Sequence, residues 1–219
     1  MINESQISNI AKSSMERLLF QRKYETDENK KYVEMIAEDV RDKLIKFSDK
    51  YCYDVFVVLI RPGTLHLVKE KANLNLQTDI HIRCDYKNKE FIGYTYIFAC
   101  FLPKRSPQIL TSFSLLKNDV NQIINKQLLN YFYKREDYDP NSVEQFAEWL
   151  KQSIFDDLRE PLIRFAFCIN IYIIKRSNSI SSTSIGKGHL NDKKDGSTFQ
   201  TYVNNAYGVV VKVAAFYNC

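Results

Sequence analysis

An internal repeat constrains the fold of this chain more than any other feature of its sequence. At a shift of 114 residues, positions 24–61 align with positions 138–175 without a gap. The alignment places Glu34 on Glu148, and it continues through a polar connection, an amphipathic helix and an apolar strand. Alternation alone would align any two buried strands, but one shift that spans three kinds of segment indicates a duplicated domain.

Each repeat predicts two amphipathic helices followed by four strands. In the first repeat, apolar residues recur at helical spacing over 7–19 and 33–47. The pattern then changes to strands, which we place at 51–60, 64–74, 79–86 and 90–102. The second repeat restarts the same order, and its last strand aligns with that of the first at a shift of 115, which puts Ala99 on Ala214 and Phe101 on Phe216.

Capping residues predict where two of the helices begin. Thr26 and Asp27 are candidate N-caps of the second helix, because their short polar side chains can accept hydrogen bonds from free N–H groups. Asp139 followed by Pro140 predicts the start of the fourth helix, since proline fits the first helical turn.

A segment with two prolines and two basic residues, at 103–107, separates the repeats and is typical of an exposed connection. We therefore predict an N-terminal domain over 1–103, a linker over 104–116 and a C-terminal domain over 117–219. The order of the elements predicts an α+β fold for both domains.

The composition excludes several classes of protein. An apolar share of 45% is too high for a disordered chain. We find no signal-like N-terminal segment and no apolar stretch long enough to cross a bilayer. The five cysteines form no CxxC pair and lie mostly in strand-like runs, which favours buried free thiols in a reducing compartment. The sequence therefore predicts a soluble intracellular protein.

No group of residues predicts catalysis, a cofactor or a metal site. His66, His81 and His189 are the only histidines, and no two of them have metal-ligand spacing on one element. Cys84 lies three residues from His81, so on a strand the two side chains would point to opposite faces. The glycine loop around Lys187 lacks the phosphate-loop pattern. We therefore expect a protein that is not an enzyme and has no small-molecule substrate.

The first strand of each repeat is apolar on both faces. Val55, Val57 and Leu59 would lie on one face, and Phe56, Val58 and Ile60 on the other. A strand that is apolar on both faces is buried on both faces, but two helices cover only one face of a four-stranded sheet. The other face therefore needs a partner, and a tethered second copy would supply one at an effective concentration of about millimolar.

The C-terminal half resembles a Tctex-type dynein light chain over nearly its whole length. The resemblance rests on the order of five segments, namely 136–139 between the helices, the strand 165–175, the Ser/Thr-rich strand 180–184, the Asp195-Gly196 turn and the final strand 209–216. The stretch 185–189 departs from the aromatic run that the family usually carries there. The N-terminal half resembles a more divergent copy, with 65–70 in place of the Ser/Thr-rich strand.

The resemblance implies that each copy lends its second strand to the sheet of the other. In a tandem chain this gives an intramolecular strand-swapped pseudo-dimer rather than a homodimer. It also implies a non-catalytic adaptor of a dynein motor, whose partners are a dynein intermediate-chain-like peptide or other dynein light chains. The expected location is the cytoplasm, in association with the cytoskeleton, with the ciliary axoneme as one alternative.

The second strands are the candidate partner-binding segments, because an extended peptide can pair with the backbone of an exposed strand edge. The alternative is that these strands are exchanged between the halves and that their edges are shielded. The candidate residues are Leu65, His66, Leu67, Val68, Lys69, Ser181, Ser182, Thr183, Ser184 and Ile185.

A basic nucleic-acid-binding β-sheet module is the alternative function. The net charge is +5, and the strands near Tyr86, Lys87 and Lys89 contain aromatic and basic residues, on which bases could stack. The basic residues are dispersed along the chain, however, whereas nucleic-acid binders concentrate them on one element. The sequence therefore favours the adaptor.

Overall fold

The computed structural model describes residues 3–75, 77–101, 112–133, 139–176, 182–189 and 194–217. The side chains of Thr26, Asp27 and residues 182–189 lie outside this description. The four helices are α1 (Glu4–Leu19), α2 (Thr26–Phe47), α3 (Phe113–Phe132) and α4 (Pro140–Arg159). The start of α3 falls inside the segment 104–116 that was expected to be a linker.

In the described residues, eight strands form two antiparallel sheets. They are β1 (Tyr51–Ile60), β2 (His66–Asn73), β3 (Ile80–Lys87), β4 (Ile92–Phe101), β5 (Phe165–Lys175), β6 (Ser182–His189), β7 (Gly196–Val203) and β8 (Tyr207–Tyr217). One sheet has the order β3-β4-β1-β6 and the other has the order β2-β5-β8-β7. The prediction of two helix-then-sheet domains of α+β class is confirmed.

The second strand of each repeat pairs with the first strand of the other repeat. β2 is antiparallel to β5, with His66 opposite Ile174, and β6 is antiparallel to β1, with Ser182 opposite Ile60. The chain accordingly divides into two compact units. Unit 1 contains the described residues of Met1–Thr64, Asn75–Arg105 and Ile180–Leu190, and unit 2 contains those of Leu65–Leu74, Ser106–Ser179 and Asn191–Cys219.

Each unit has its own apolar core between its helices and its sheet. In unit 1, Met15 of α1 and Val40 of α2 are buried against Val57 of β1. In unit 2, Leu150 of α4 is buried with Ile171 of β5. The residues on the other face of β1, Phe56, Val58 and Ile60, are also buried. Both faces of this strand are therefore covered, as its sequence predicts.

The helix starts confirm one capping prediction and correct another. Asp139 caps α4, because its Oδ1 accepts a hydrogen bond of 2.9 Å from the N–H of Asn141. For α2, however, the N-cap position is held by Glu25, whose carbonyl accepts a 2.9 Å hydrogen bond from Asn29. The helix therefore begins one residue earlier than an N-cap at Thr26 would allow, and two residues earlier than one at Asp27.

The last hairpin of each repeat corrects the predicted shift of 115. In unit 1, Oδ1 of Asn88 accepts hydrogen bonds from the N–H groups of Glu90 and Phe91, and in unit 2 Asn204 does the same for Ala206 and Tyr207. These pairs align at a shift of 116, so Ala99 corresponds to Ala215 and Phe101 to Tyr217. The shift of 115 is wrong, and since side chains alternate, it would have exchanged the two faces of β8.

No helix among the described residues is long and apolar enough to span a membrane.

Candidate partner-binding edge strands

The strand β2 lies at the edge of the sheet in unit 2. Within the described residues it pairs with β5 alone, which leaves the backbone groups on its outer side without a strand partner. Leu65, just before the strand, is 50% exposed, and the predicted residues His66 to Lys69 are half-buried. An edge of this kind can pair with an added strand.

Helix α4 holds one face of β2 in place. The Nζ of Lys69 lies 2.8 Å from Oε1 of Glu144 and 3.8 Å from Oε2 of Glu148. Lys71 donates a hydrogen bond to Gln152, and its Nζ lies 4.3 Å from the centre of the Phe155 ring. Because β2 comes from the other repeat, these contacts attach the exchanged strand to the helix of its host unit.

The lysines around Glu148 favour the ionised form of its carboxyl. A hydrogen bond from Lys151, together with the positive charges of Lys69 and Lys71, holds the pKa of Glu148 below its ordinary value. On the opposite face of β2, the ring of His66 lies 6.5 Å from the ring of Tyr172 on β5. The two faces of β2 therefore differ, with ion pairs on the helix side and an aromatic contact on the other.

The strand β6 lies at the corresponding edge in unit 1. Its backbone pairs with β1 so that Ser182 to Ile185 lie opposite Ile60 to Val57. In the described part of the chain β6 has β1 as its one strand partner, and α2 runs close to it. Ser181 lies outside the described residues, and for the other four candidates the backbone alone is placed.

The two predicted segments occupy equivalent positions in their sheets. His66 and Ser182 stand opposite Ile174 and Ile60, which are themselves related by the shift of 114. The segments 65–69 and 181–185 therefore align at a shift of 116, because Ser182 is two residues further from Ile174 in the chain than His66 is from Ile60. Each segment lies at an edge of a different sheet.

The sequence model of the Tctex-1 family matches residues 1–100 and 114–216 of this chain. The chain belongs to the Tctex-1 family. The two matches correspond to its two tandem repeats, so the family resemblance of both halves is confirmed. A search of the curated proteins finds no significant match.

Membership of the Tctex-1 family supports a dynein light-chain-like adaptor that works with protein partners of the dynein complex and is associated with the cytoskeleton. Members of this family act as non-catalytic light chains.

Cys84 and His81, which the sequence placed three residues apart, both pack against other side chains of unit 1. Cys84 is buried in the core of unit 1, where burial raises the pKa of its thiol and its Sγ lies 3.5 Å from Oγ of Ser8. His81 lies against the ring of Phe98 on the other face of β3, as the alternation predicts. Among the described residues, no group of three His, Cys, Asp or Glu side chains could hold a metal ion.

The aromatic residue of the alternative nucleic-acid surface faces inward. Tyr86 is half-buried against the core of unit 1, and its hydroxyl accepts a 3.0 Å hydrogen bond from Nδ2 of Asn88. Lys87 and Lys89 are exposed beside it. Since a stacked base needs an open aromatic face, the Tctex-1 hairpin offers basic side chains here without a stacking platform.

The contacts of Lys69 and Lys71 with α4 could not be read from the sequence. The residues next to each lysine in the sequence do not predict its contact with α4, because its partners are about 75 to 85 residues away in the chain. Trp149, the sole tryptophan of the chain, is 60% exposed on α4.

Proposed function

We propose that this Tctex-1 protein is a dynein light-chain-like adaptor that binds an extended segment of a dynein intermediate chain, or a similar partner, by β-strand addition. The binding edges are those of β2 and β6, with Leu65 to Lys69 and Ser181 to Ile185 as the contact residues. The observation that carries the proposal is that each of these strands lies at a sheet edge and has one strand partner within the described residues.

The position of these strands at sheet edges supports the proposal. An edge strand has a row of backbone N–H and C=O groups that an extended peptide can pair with, and such pairing requires little of the peptide sequence. Pockets beside alternate side chains then provide specificity. The contacts of β2 with α4 hold this edge in a fixed geometry, which lowers the entropy lost on binding.

The two edges differ in chemistry, so we propose that they prefer different segments. The segment 65–69 contains apolar residues, a histidine and a lysine, whereas 181–185 consists of Ser and Thr followed by one Ile. A peptide at the first edge meets a charged helix face, since Lys69 is paired with Glu144. A partner could therefore engage one edge more strongly than the other.

We also propose that the two repeats, the first over 1–103 and the second from the start of α3 at Phe113, act as an intramolecular pseudo-dimer. The exchange of β2 and β6 within one chain supports this proposal. The tether would make the exchange independent of protein concentration. The proposed location is the cytoplasm, in association with the cytoskeleton, with the ciliary axoneme as one alternative.

The proposal can be tested with the full chain and a recombinant disordered segment of a dynein intermediate chain. We expect binding to slow amide hydrogen exchange in β2 and β6 but to leave β3 unchanged. Replacing Leu65, which is 50% exposed, by Lys should weaken binding by about tenfold, as expected for the loss of roughly 1.4 kcal/mol of apolar contact. The matched control is Met35→Lys on α2, at a side chain that is 47% exposed.

Salt dependence separates this function from the alternative. Backbone pairing should change little when the salt concentration is raised, whereas binding to a nucleic acid should fall steeply. Equal loss of binding in Leu65→Lys and Met35→Lys, or protection confined to β3 and β4, would contradict strand addition at these edges.

A further inference from the structure

The two remaining sheet edges, β3 and β7, differ sharply although they are equivalent in the repeat. The outward row of β3 consists of His81, Arg83, Asp85 and Lys87, and the Nε of Arg83 lies 2.9 Å from Oδ1 of Asp85. Charged side chains on an edge discourage pairing with another strand. This edge is therefore protected.

The strand β7 has no such protection. Its sequence, from Gly196 to Val203, contains no charged residue and is rich in residues that favour strands. In the part of the chain that the structure describes, β7 pairs with β8 alone. On its outward row, Phe199 is 65% exposed, Val203 is 60% exposed, and Thr201 between them is exposed as well.

The helix beside β7 adds a polar surface that is rich in asparagine. Oγ1 of Thr198 donates a 2.6 Å hydrogen bond to Oδ1 of Asn121, which places this flank of α3 next to β7. Asn118 and Asn125 lie three residues before and four residues after Asn121, so they are on the same flank, and both are exposed. Lys117, four residues before Asn121, is exposed on the same flank, so a strand that approached β7 would meet no charge on β7 itself and one lysine on this flank.

We infer that β7 pairs with the β7 strand of a second copy of this chain, antiparallel and with Thr201 on the twofold axis. This register is self-complementary, which is the requirement for an interface between two identical surfaces. It places Phe199 of each chain opposite Val203 of the other, and Thr201 opposite Thr201. Aromatic with β-branched pairs and Thr with Thr pairs both stabilise antiparallel strands.

The same register also satisfies the inner row of the strand. Gln200 of one copy lies opposite Tyr202 of the other, so an uncharged pair forms on the side that α3 covers. The paired edges form a continuous sheet in which both copies of β7 become interior strands. Pairing covers the β7 edge of each chain. It also covers two exposed apolar side chains per chain, Phe199 and Val203.

This contact is distinct from the exchange of β2 and β6, which stays within each chain. It goes beyond the proposed function and departs from the expectation of a chain that forms no homodimer. Within the described residues, the intramolecular exchange of β2 and β6 leaves the β7 edge open. The edges of β2 and β6 are not used in the contact, so loss of the dimer and loss of partner binding can be observed separately.

A cysteine at the axis tests the register in the full chain. In Thr201→Cys the two new thiols would lie opposite each other, so treatment with diamide should give a disulfide-linked dimer on a non-reducing gel. Phe199→Cys alone should give none, because each new thiol faces Val203. An equimolar mixture of Phe199→Cys and Val203→Cys should restore the dimer. The wild-type chain under the same oxidant shows the contribution of the native cysteines.

Light scattering over a concentration series provides an independent measurement. The wild-type mass should rise from the 25.7 kDa of one chain towards twice that value. Thr201→Lys should weaken the dimer by about tenfold or more, because like charges directly opposite each other destabilise a strand pair. The control is Asn130→Lys, at an exposed position on the opposite flank of α3.

Three results would overturn the inference. They are a wild-type mass that stays at 25.7 kDa throughout the series, equal cross-linking of all single cysteine variants, and a dimer that survives Thr201→Lys unchanged. A monomer that binds the strand of a different protein at β7 would give the first of these results.

Discussion

Asp195 and Gly196 form an Asp-Gly turn in the sequence, and in unit 2 each of them also makes a contact that the turn does not predict. Oδ1 of Asp195 accepts a 2.9 Å hydrogen bond from the N–H of Tyr217, at the end of β8. In unit 1, Asp79 accepts the equivalent bond of 3.1 Å from Phe101. The sequence shows an Asp-Gly turn in the second repeat alone, but the two aspartates align at the same shift of 116 as the hairpins.

Gly196 allows the first residue of α3 to approach the sheet closely. A methyl group added at Gly196 would lie 2.9 Å from Cγ of the buried Phe113 and closer still to Cδ1. We therefore predict that Gly196→Ala destabilises the protein by about 1–3 kcal/mol, the usual effect of overpacking a filled site. Equilibrium unfolding in urea measures this change.

The matched control for this substitution is Gly93→Ala in β4. There the added methyl group would lie 3.2 Å from the flexible Met15 side chain and 3.3 Å from Leu59, so a small shift can accommodate it. Equal destabilisation by the two substitutions would show that the Phe113 contact has no special effect.

At the scale of elements, a polar cluster joins α1 to α2. One oxygen of Asp39 lies 2.8 Å from Nη2 of Arg17 on α1, and the other lies 2.8 Å from Nζ of Lys43 on α2. The same Lys43 donates a 3.0 Å hydrogen bond to the buried Ser14 of α1. The second repeat shares its helix order but has Ser153, with a hydrogen bond to Tyr131, at the position of Asp39.

This cluster predicts a pH dependence of the stability of unit 1. Partial burial of Asp39 alone would raise the pKa of its carboxyl, but hydrogen bonds from Lys43, Ser14 and Arg17 outweigh it and lower that pKa below 3.8. A carboxyl whose folded-state pKa is lowered stabilises the fold above its unfolded value, and this contribution is lost as the pH falls through the folded value.

We therefore predict that Asp39→Asn reduces the free energy of unfolding by about 1 kcal/mol at pH 7, a typical magnitude for a partly exposed ion pair. The difference from wild type should shrink as the pH falls below 3.8. Urea unfolding at several pH values measures both. The control is Asp42→Asn, because Asp42 pairs with its neighbour Arg41 on the same helix. A difference that persists at low pH would contradict the role of the charge.

At the scale of the whole molecule, each compact unit needs a strand from the other repeat. Unit 1 contains β6 of the second repeat, and unit 2 contains β2 of the first. Without β6, the outer side of the buried strand β1 would lose its strand partner. The fold of each repeat therefore depends on the presence of the other.

We predict that the repeats stay associated after the chain is cut between them. A protease recognition sequence can be inserted within residues 104–110 of the full chain. After cleavage, the two fragments should elute together in size-exclusion chromatography and separate only in denaturant, because β2 and β6 remain paired across the cut. Fragments that elute separately while still folded would contradict this dependence. The uncut variant provides the elution reference.

The sequence by itself determined the repeat, the order of the elements and the bounds of β1. Periodicity and a shift that held over 38 positions were sufficient, because both reflect burial that is local to one helix or strand. A second strand was also predicted in each repeat, and β2 and β6 lie at His66–Asn73 and Ser182–His189, whereas the register of β8 was wrong by one residue. Ala99 and Phe101 match well at either shift, since apolar residues fill both faces of that strand.

The family resemblance implied the exchange of the second strands, but the residue pattern alone did not show it, and only the tertiary structure decided how the edges differ. A hydrogen-bonded ladder joins backbones, so the side-chain pattern of β2 cannot specify whether β1 or β5 is its neighbour. The ion pair of Lys69 with Glu144, the contact of Gly196 with Phe113 and the exposed row of β7 also depend on residues distant in the chain. Sequence periodicity records how deeply a residue is buried, and folding alone determines which residues it meets.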